Sequence, residues 1–233
     1  MSHIHIPDGV LPTWLWVSGY AITALLIAIF WRRGKATSDP RRFALLGVFS
    51  AIMILAMSIE IPPFGAHINL SVATGIVLGP ELSILAALVV NVILSLVGHG
   101  GVTVAGLNTL VISTEMIVGY YAFHALMRLK VAVGKSGFVA TVIGLACGTT
   151  LSFLIILIAH NWIVPAQMAG KIPSDDLLGM KLSLGRLAAI MFGLGAIGWI
   201  VEGLLTSGIV TSLVRLYPGL IAKDEDDGPD AGY

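Results

Sequence analysis

Long apolar runs dominate this chain and restrict its possible folds more than any other feature. In a bilayer every backbone polar group must be bonded within the protein, so a spanning segment is typically a helix of about twenty residues. Of the 233 residues, 57% are hydrophobic and only 11% are charged, whereas about a quarter of the residues of a soluble domain are charged. The sequence therefore predicts an all-α, polytopic helix bundle in the inner (plasma) membrane.

The apolar runs predict about seven transmembrane helices. Their predicted bounds are Leu11–Trp31, Phe43–Ile61, Asn69–Leu78, Leu82–Val97, Ala105–Met127, Phe138–His160 and Leu184–Val214. The third run is too short to cross alone, so the third and fourth form either one bent hairpin broken at Gly79-Pro80-Glu81 or a re-entrant segment followed by one span. We favour the hairpin, because Gly-Pro marks a turn and a short helix can lie inside a bundle.

The basic residues predict an orientation. With seven crossings, ten of the 13 Lys and Arg residues fall on one side of the membrane, which the positive-inside rule makes cytoplasmic. The N-terminus is then expected outside, with the loops around His67 and His99, and the C-terminus inside. We expect residues 1–222 to form a single transmembrane metal-binding domain with an N-terminal chelating segment, and residues 223–233 to form a disordered acidic cytoplasmic tail.

Charge and cysteine usage exclude several other classes of protein. The formal net charge is zero, so no basic surface for nucleic acid is expected. Cys147 is the only cysteine, which excludes a disulfide framework or a zinc site built on cysteines.

The first residues have the composition of a metal chelate. Met1, Ser2 and His3 offer a terminal amine, backbone amides and an imidazole, the planar nitrogen donors that Ni(II) and Cu(II) favour. If Met1 is removed, Ser2 and His3 supply one amide fewer and leave one position open. His5 adds a second imidazole. The alternative is that both histidines are exposed at a frayed terminus and inert.

Two outer loops contain further candidate residues. His67 follows a Pro-Pro turn and is the candidate for the missing in-plane ligand, with Asn69 orienting its ring; otherwise His67 is an interfacial or helix-capping residue. His99 lies among glycines, ahead of Asn108, and is a candidate ligand, an outer-shell group or an entry-path residue. Glu115 and Glu202 lie in mid-helix, and we expect them to be interior hydrogen-bonded groups or contacts to a partner subunit, far from the outer loops.

Several motifs then suggest a family. They are His5–Pro12, Gly65–Asn69, Leu78–Pro80, Gly98–Gly101 and Gly106–Asn108. With these motifs in the same order over most of its length, the chain resembles the cobalt/nickel substrate-binding membrane subunits of energy-coupling-factor transporters, the CbiM/NikM family. The resemblance implies seven helices, an outward N-terminus that reaches into a pocket, and a metal held by the terminal amine, the next amide and imidazole, and a loop histidine that corresponds to His67.

One departure from the family pattern leaves the chelating histidine open. The motif histidine is residue two in the family, whereas here it is His5. Either His3 chelates through the Met1 or Ser2 amine, which we favour, or His5 binds through its imidazole alone.

The predicted function is capture of Co(II) or Ni(II) as transported substrate by a component that is not an enzyme. The chain has no Gly-x-x-x-x-Gly-Lys-[Ser/Thr] nucleotide loop. We therefore expect partners: a transmembrane coupling subunit, cytoplasmic ATPase subunits and a small accessory membrane subunit. The alternatives are an intramembrane hydrolase that uses His99 with a serine such as Ser95, and a purely structural membrane subunit.

Overall fold

The computed structural model describes residues 11–33, 40–59, 67–168, 184–217 and 220–221, and it is helical. Six helices lie in these ranges: α1 Thr13–Arg33, α2 Pro40–Ser58, α3 Ser71–Leu96, α4 Ala105–Arg128, α5 Val133–Met168 and α6 Leu184–Leu216. The all-α prediction is confirmed. The predicted tail, residues 223–233, lies outside the described residues.

Each of the six helices is long and apolar enough to cross a membrane. The six elements contain all seven predicted helical segments, because the third and fourth predicted helices are the two parts of α3. Their predicted break is confirmed: Gly79 has φ 76° and ψ 171°, outside the helical region, and Pro80 follows it. A residue with a side chain rarely adopts that φ, and proline has no N–H to continue the helical ladder.

The break at Gly79 bends α3. A straight helix of 26 residues would be about 39 Å long. Yet the rings of His67 and His99, which flank α3, are 5.2 Å apart. The backbone N–H of His99 bonds the Leu94 carbonyl oxygen at 2.8 Å, which keeps His99 close to the helix end. The short stretch between His67 and the start of α3 covers at most about 14 Å, so α3 must fold back.

Helices α3 and α4 form the centre of the bundle. In α3, 61% of the most apolar window is buried, against 17% in α1 and in α2. Glycines allow close approach of α3 to α4 and of α4 to α1: a Cβ on Gly75 would lie 2.5 Å from the Met116 carbonyl oxygen, and one on Gly106 would lie 2.7 Å from the Tyr20 backbone nitrogen. Such contacts are typical of helix packing in membranes.

Replacing Gly75 with alanine is expected to lower the free energy of unfolding by about 1–3 kcal/mol, because the new methyl group would collide with backbone atoms of α4. The measurement is thermal unfolding of the detergent-solubilised protein. Gly193→Ala is the matched control, since a Cβ at that position would have nothing within 4 Å. Equal stability of the two variants would contradict this account of α3–α4 packing.

Candidate metal site

The structure brings together two of the histidines predicted to face the outside. The ring centroids of His67 and His99 are 5.2 Å apart, with an interplanar angle of 66°. Positive φ values of 82° at Gly98 and 96° at Gly100 shape the turn that holds His99. Glycine is needed in this turn because residues with a Cβ seldom adopt such angles.

The environment of His67 favours the neutral imidazole. Burial, followed by the nearby His99, lowers the pKa of His67 from 6.5 to about 4. A neutral ring nitrogen offers a lone pair to a metal, whereas a protonated ring does not. At neutral pH His67 can therefore act as a ligand without first losing a proton.

The described residues do not contain a complete metal site. They include no group of three or more His, Cys, Asp or Glu side chains placed to hold an ion. Two imidazoles are too few for the four-donor plane that Ni(II) favours. The predicted ligands Met1, Ser2, His3 and His5 lie outside the described residues, so their ligation stays a prediction.

Asn69 anchors the turn that carries His67. Its side-chain nitrogen donates to Glu115 Oε2 at 2.7 Å, and its backbone N–H donates to Glu202 Oε1 at 3.2 Å. Asn69 is fully buried, and Asn108 is buried in the first turn of α4. Neither observation tests the roles predicted for these two residues beside the metal.

Two acids that sequence reasoning placed far from the outer loops lie against this turn. Glu115 from α4 and Glu202 from α6 are 0% and 2% exposed. Their hydrogen bonds reach residues only two to four positions beyond His67. The prediction that they are interior hydrogen-bonded groups is confirmed, and the prediction of their distance from the loops is wrong. The reason is that the chain after His67 enters the bundle before α3 begins.

The pKa of His67 gives a direct test of this geometry. We expect the His67 ring to titrate at about 4 in the metal-free protein. His99→Ala should raise that pKa, because a like charge is removed, but should leave it below 6.5, because burial is the larger cause. The measurement is an NMR titration of ¹⁵N-labelled imidazoles, with His67→Ala assigning the resonance. A His67 pKa near 6.5 in the unmodified protein would contradict the described burial.

The hydrolase alternative finds no support in the described geometry. The Ser95 hydroxyl donates to the Val92 carbonyl oxygen at 2.8 Å. The His99 ring packs against His67. The Ser95 side chain thus bonds its own helix, and the His99 ring contacts a second imidazole.

Comparison with known proteins identifies the family of this chain. Residues 5–220 match the family model described as the cobalt uptake substrate-specific transmembrane region, CbiM. A protein of Haloquadratum walsbyi, provisionally named a metal transport protein, is 30% identical over 94% of this chain and 93% of its own length. The cobalt transport protein CbiM of Geobacter sulfurreducens is 26% identical over 98% of this chain and 65% of its own length.

A solved structure shows the same fold. The crystal structure of a truncated transition metal transporter aligns with a TM-score of 0.75 at 20% identity, over 91% of this chain and 99% of that one. The family match spans all six described helices and both loop histidines. The chain therefore belongs to the CbiM family of cobalt uptake transmembrane proteins, which is a family of transporters and not of enzymes.

Proposed function

We propose that this protein is the substrate-binding component of an energy-coupling-factor transporter and that it captures Co(II) or Ni(II) on the outer face of the membrane. The observation that carries the proposal is the His67–His99 pair, two imidazoles in contact beside the start of α3 in a chain of the CbiM family. The name of the Geobacter sulfurreducens relative supports cobalt. Nickel is included because planar nitrogen donors suit it.

In this proposal the chain's first residues complete the site. The terminal amine, the following amide or amides and the imidazole of His3 form the chelate, and His67 fills the remaining in-plane position. His5 is a further ligand or part of the surrounding shell. His99 lies against His67 and restricts the orientation of its ring, in the way that groups around a metal usually orient its ligands.

The proposed orientation places this site outside the cell. It rests on the distribution of the 13 basic residues, most of which lie on the side that the positive-inside rule assigns to the cytoplasm. The fold-back of α3 returns His99 to the same side as His67, so this orientation assigns both histidines to the outside.

Transport requires energy that this chain does not provide, since its sequence contains no nucleotide-binding loop. We infer that a transmembrane coupling subunit and cytoplasmic ATPase subunits, with a small accessory membrane subunit, drive movement of this bundle. That movement would present the bound ion to the cytoplasm.

Equilibrium dialysis of the purified chain with Co(II) and Ni(II) tests the proposal. We expect His67→Ala, and separately acetylation of the terminal amine, to weaken binding by more than about tenfold, because each removes a donor atom. The unmodified chain should bind Ni(II) more tightly than Co(II), following the general affinity order for nitrogen donors.

His160→Ala is the matched control, because His160 also lies near the outer end of its helix in the proposed orientation and has no role in the proposed site. It should bind both ions as the unmodified chain does. Unchanged affinity after the amine is blocked would exclude the terminal chelate, and absence of binding by the unmodified chain would overturn the proposed function.

A further inference from the structure

The N-terminus of α3 lacks the local side-chain cap that most helices have. Its N-cap residue is Leu70, which has no polar side chain and makes no capping hydrogen bond. Leucine is a poor N-cap, because the first N–H groups of a helix need acceptors. Leu70 is also left-handed, with φ 57° and ψ 18°, a conformation that costs a residue with a Cβ free energy. Other parts of the structure must therefore hold this turn in place.

Glu202, from α6, binds the backbone immediately before α3. Its two carboxylate oxygens accept the backbone N–H groups of Asn69 and Leu70, each at 3.2 Å. The positive end of the helix dipole favours a carboxylate at this position. A residue 132 positions away in the chain thus bonds the backbone N–H of the N-cap residue, as the glutamate of a capping box does, and fixes the backbone that enters α3.

Glu115 holds the same turn from α4. Its Oε2 accepts hydrogen bonds from the side chains of Asn69, at 2.7 Å, and Ser71, at 2.8 Å. Because the two acids together bond three consecutive residues from two helices, they fix both the position and the rotation of the turn. His67 lies two residues before the first of these bonds.

Glycines in α5 make room for Glu115. A Cβ on Gly148 would lie 2.3 Å from Glu115 Cγ and 2.5 Å from its Oε1, and a Cβ on Gly144 would lie 2.6 Å from the Glu115 carbonyl oxygen. All these distances are shorter than real Cβ contacts allow. Any side chain at position 148 would displace the carboxylate from the turn.

We propose that Glu115 and Glu202 are positioning residues for the metal site, which clamp residues 69–71 so that His67 is held against His99. This inference rests on the proposed function in assigning His67 to a metal. The clamp connects the site to α4 and α6, so a displacement of α6 relative to α4 would move His67. The pair acts through His67 and is not itself a set of ligands.

The first experiment measures metal binding. Glu202→Gln replaces one acceptor oxygen with an NH₂ group that cannot accept the backbone N–H, so we expect Co(II) and Ni(II) affinity to fall about 10–100-fold, the usual loss for groups that orient a ligand. The d–d absorption bands of bound Co(II) should shift as well. Gly148→Ala should have the same effects through Glu115.

Two controls separate positioning from general stability. Gly193→Ala, which adds a methyl group where nothing lies within 4 Å, matches Gly148→Ala and should leave affinity and spectrum unchanged. Met53→Ala removes a fully buried side chain from the α2–α3–α4 core. It should lower the melting temperature while keeping affinity and spectrum. If Met53→Ala instead lost affinity as Glu202→Gln does, general destabilisation would explain both variants and the positioning role would fail.

A rescue variant tests the backbone argument. Leu70→Gly removes the penalty of the left-handed conformation. In the Glu202→Gln background it should therefore restore several-fold of the lost affinity, since the turn then needs less support. If the double variant binds no better than Glu202→Gln, the idea that the clamp holds a strained turn is wrong.

The second experiment needs no metal. With Cys147→Ser as background, cysteines replacing His67 and His99 should be joined efficiently by a short bifunctional methanethiosulfonate, and adding Glu202→Gln should reduce the yield at least twofold. Unchanged yield together with unchanged metal affinity in Glu202→Gln would overturn the clamp. If instead the unmodified chain binds no metal but cross-linking depends on Glu202, the clamp stands and the proposed function fails.

Discussion

Hydrogen bonds between two buried carboxylates and the start of α3 are the interaction on which the described site depends. A carboxylate inside a membrane bundle is costly unless its oxygens are well bonded. Here Glu115 and Glu202 accept bonds from the Asn69–Ser71 turn, whose own residues supply no capping acceptor. The two acids therefore hold the turn by hydrogen bonds from two sides, although Glu115 Oε1 has no hydrogen-bond partner among the described residues, and three helices meet at this point.

The break in α3 brings the two histidines that flank this helix together. Because Gly79 interrupts the helix, the chain returns to where it entered, and the residues flanking α3 come into contact. A straight helix would separate His67 from His99 by most of the membrane thickness. Burial, followed by the nearby His99, lowers the pKa of His67 to about 4, so the bend that pairs the two imidazoles also favours the neutral form of the His67 ring.

Apolar runs in the sequence predict some helix ends more accurately than others. The predicted spans Ala105–Met127 and Leu184–Val214 end within two residues of α4 and α6. By contrast, α5 begins at Val133, five residues before the predicted start. Apolar runs report the part of a helix inside the lipid, whereas a helix ends where its backbone bonding ends. The seven predicted runs correspond to six elements, because the third and fourth runs lie on either side of the break inside α3.

The sequence by itself determined the class of protein, the break at Gly79-Pro80 and the candidate His67, because hydrophobicity, glycine and proline act locally and can be recognised in a single chain. Only the tertiary structure decided that His67 meets His99 and that Glu115 and Glu202 hold the turn beside them. These contacts join residues from 32 to more than 130 positions apart. No local pattern predicts contacts between residues so far apart in the chain, since these contacts depend on how α3, α4 and α6 pack against one another.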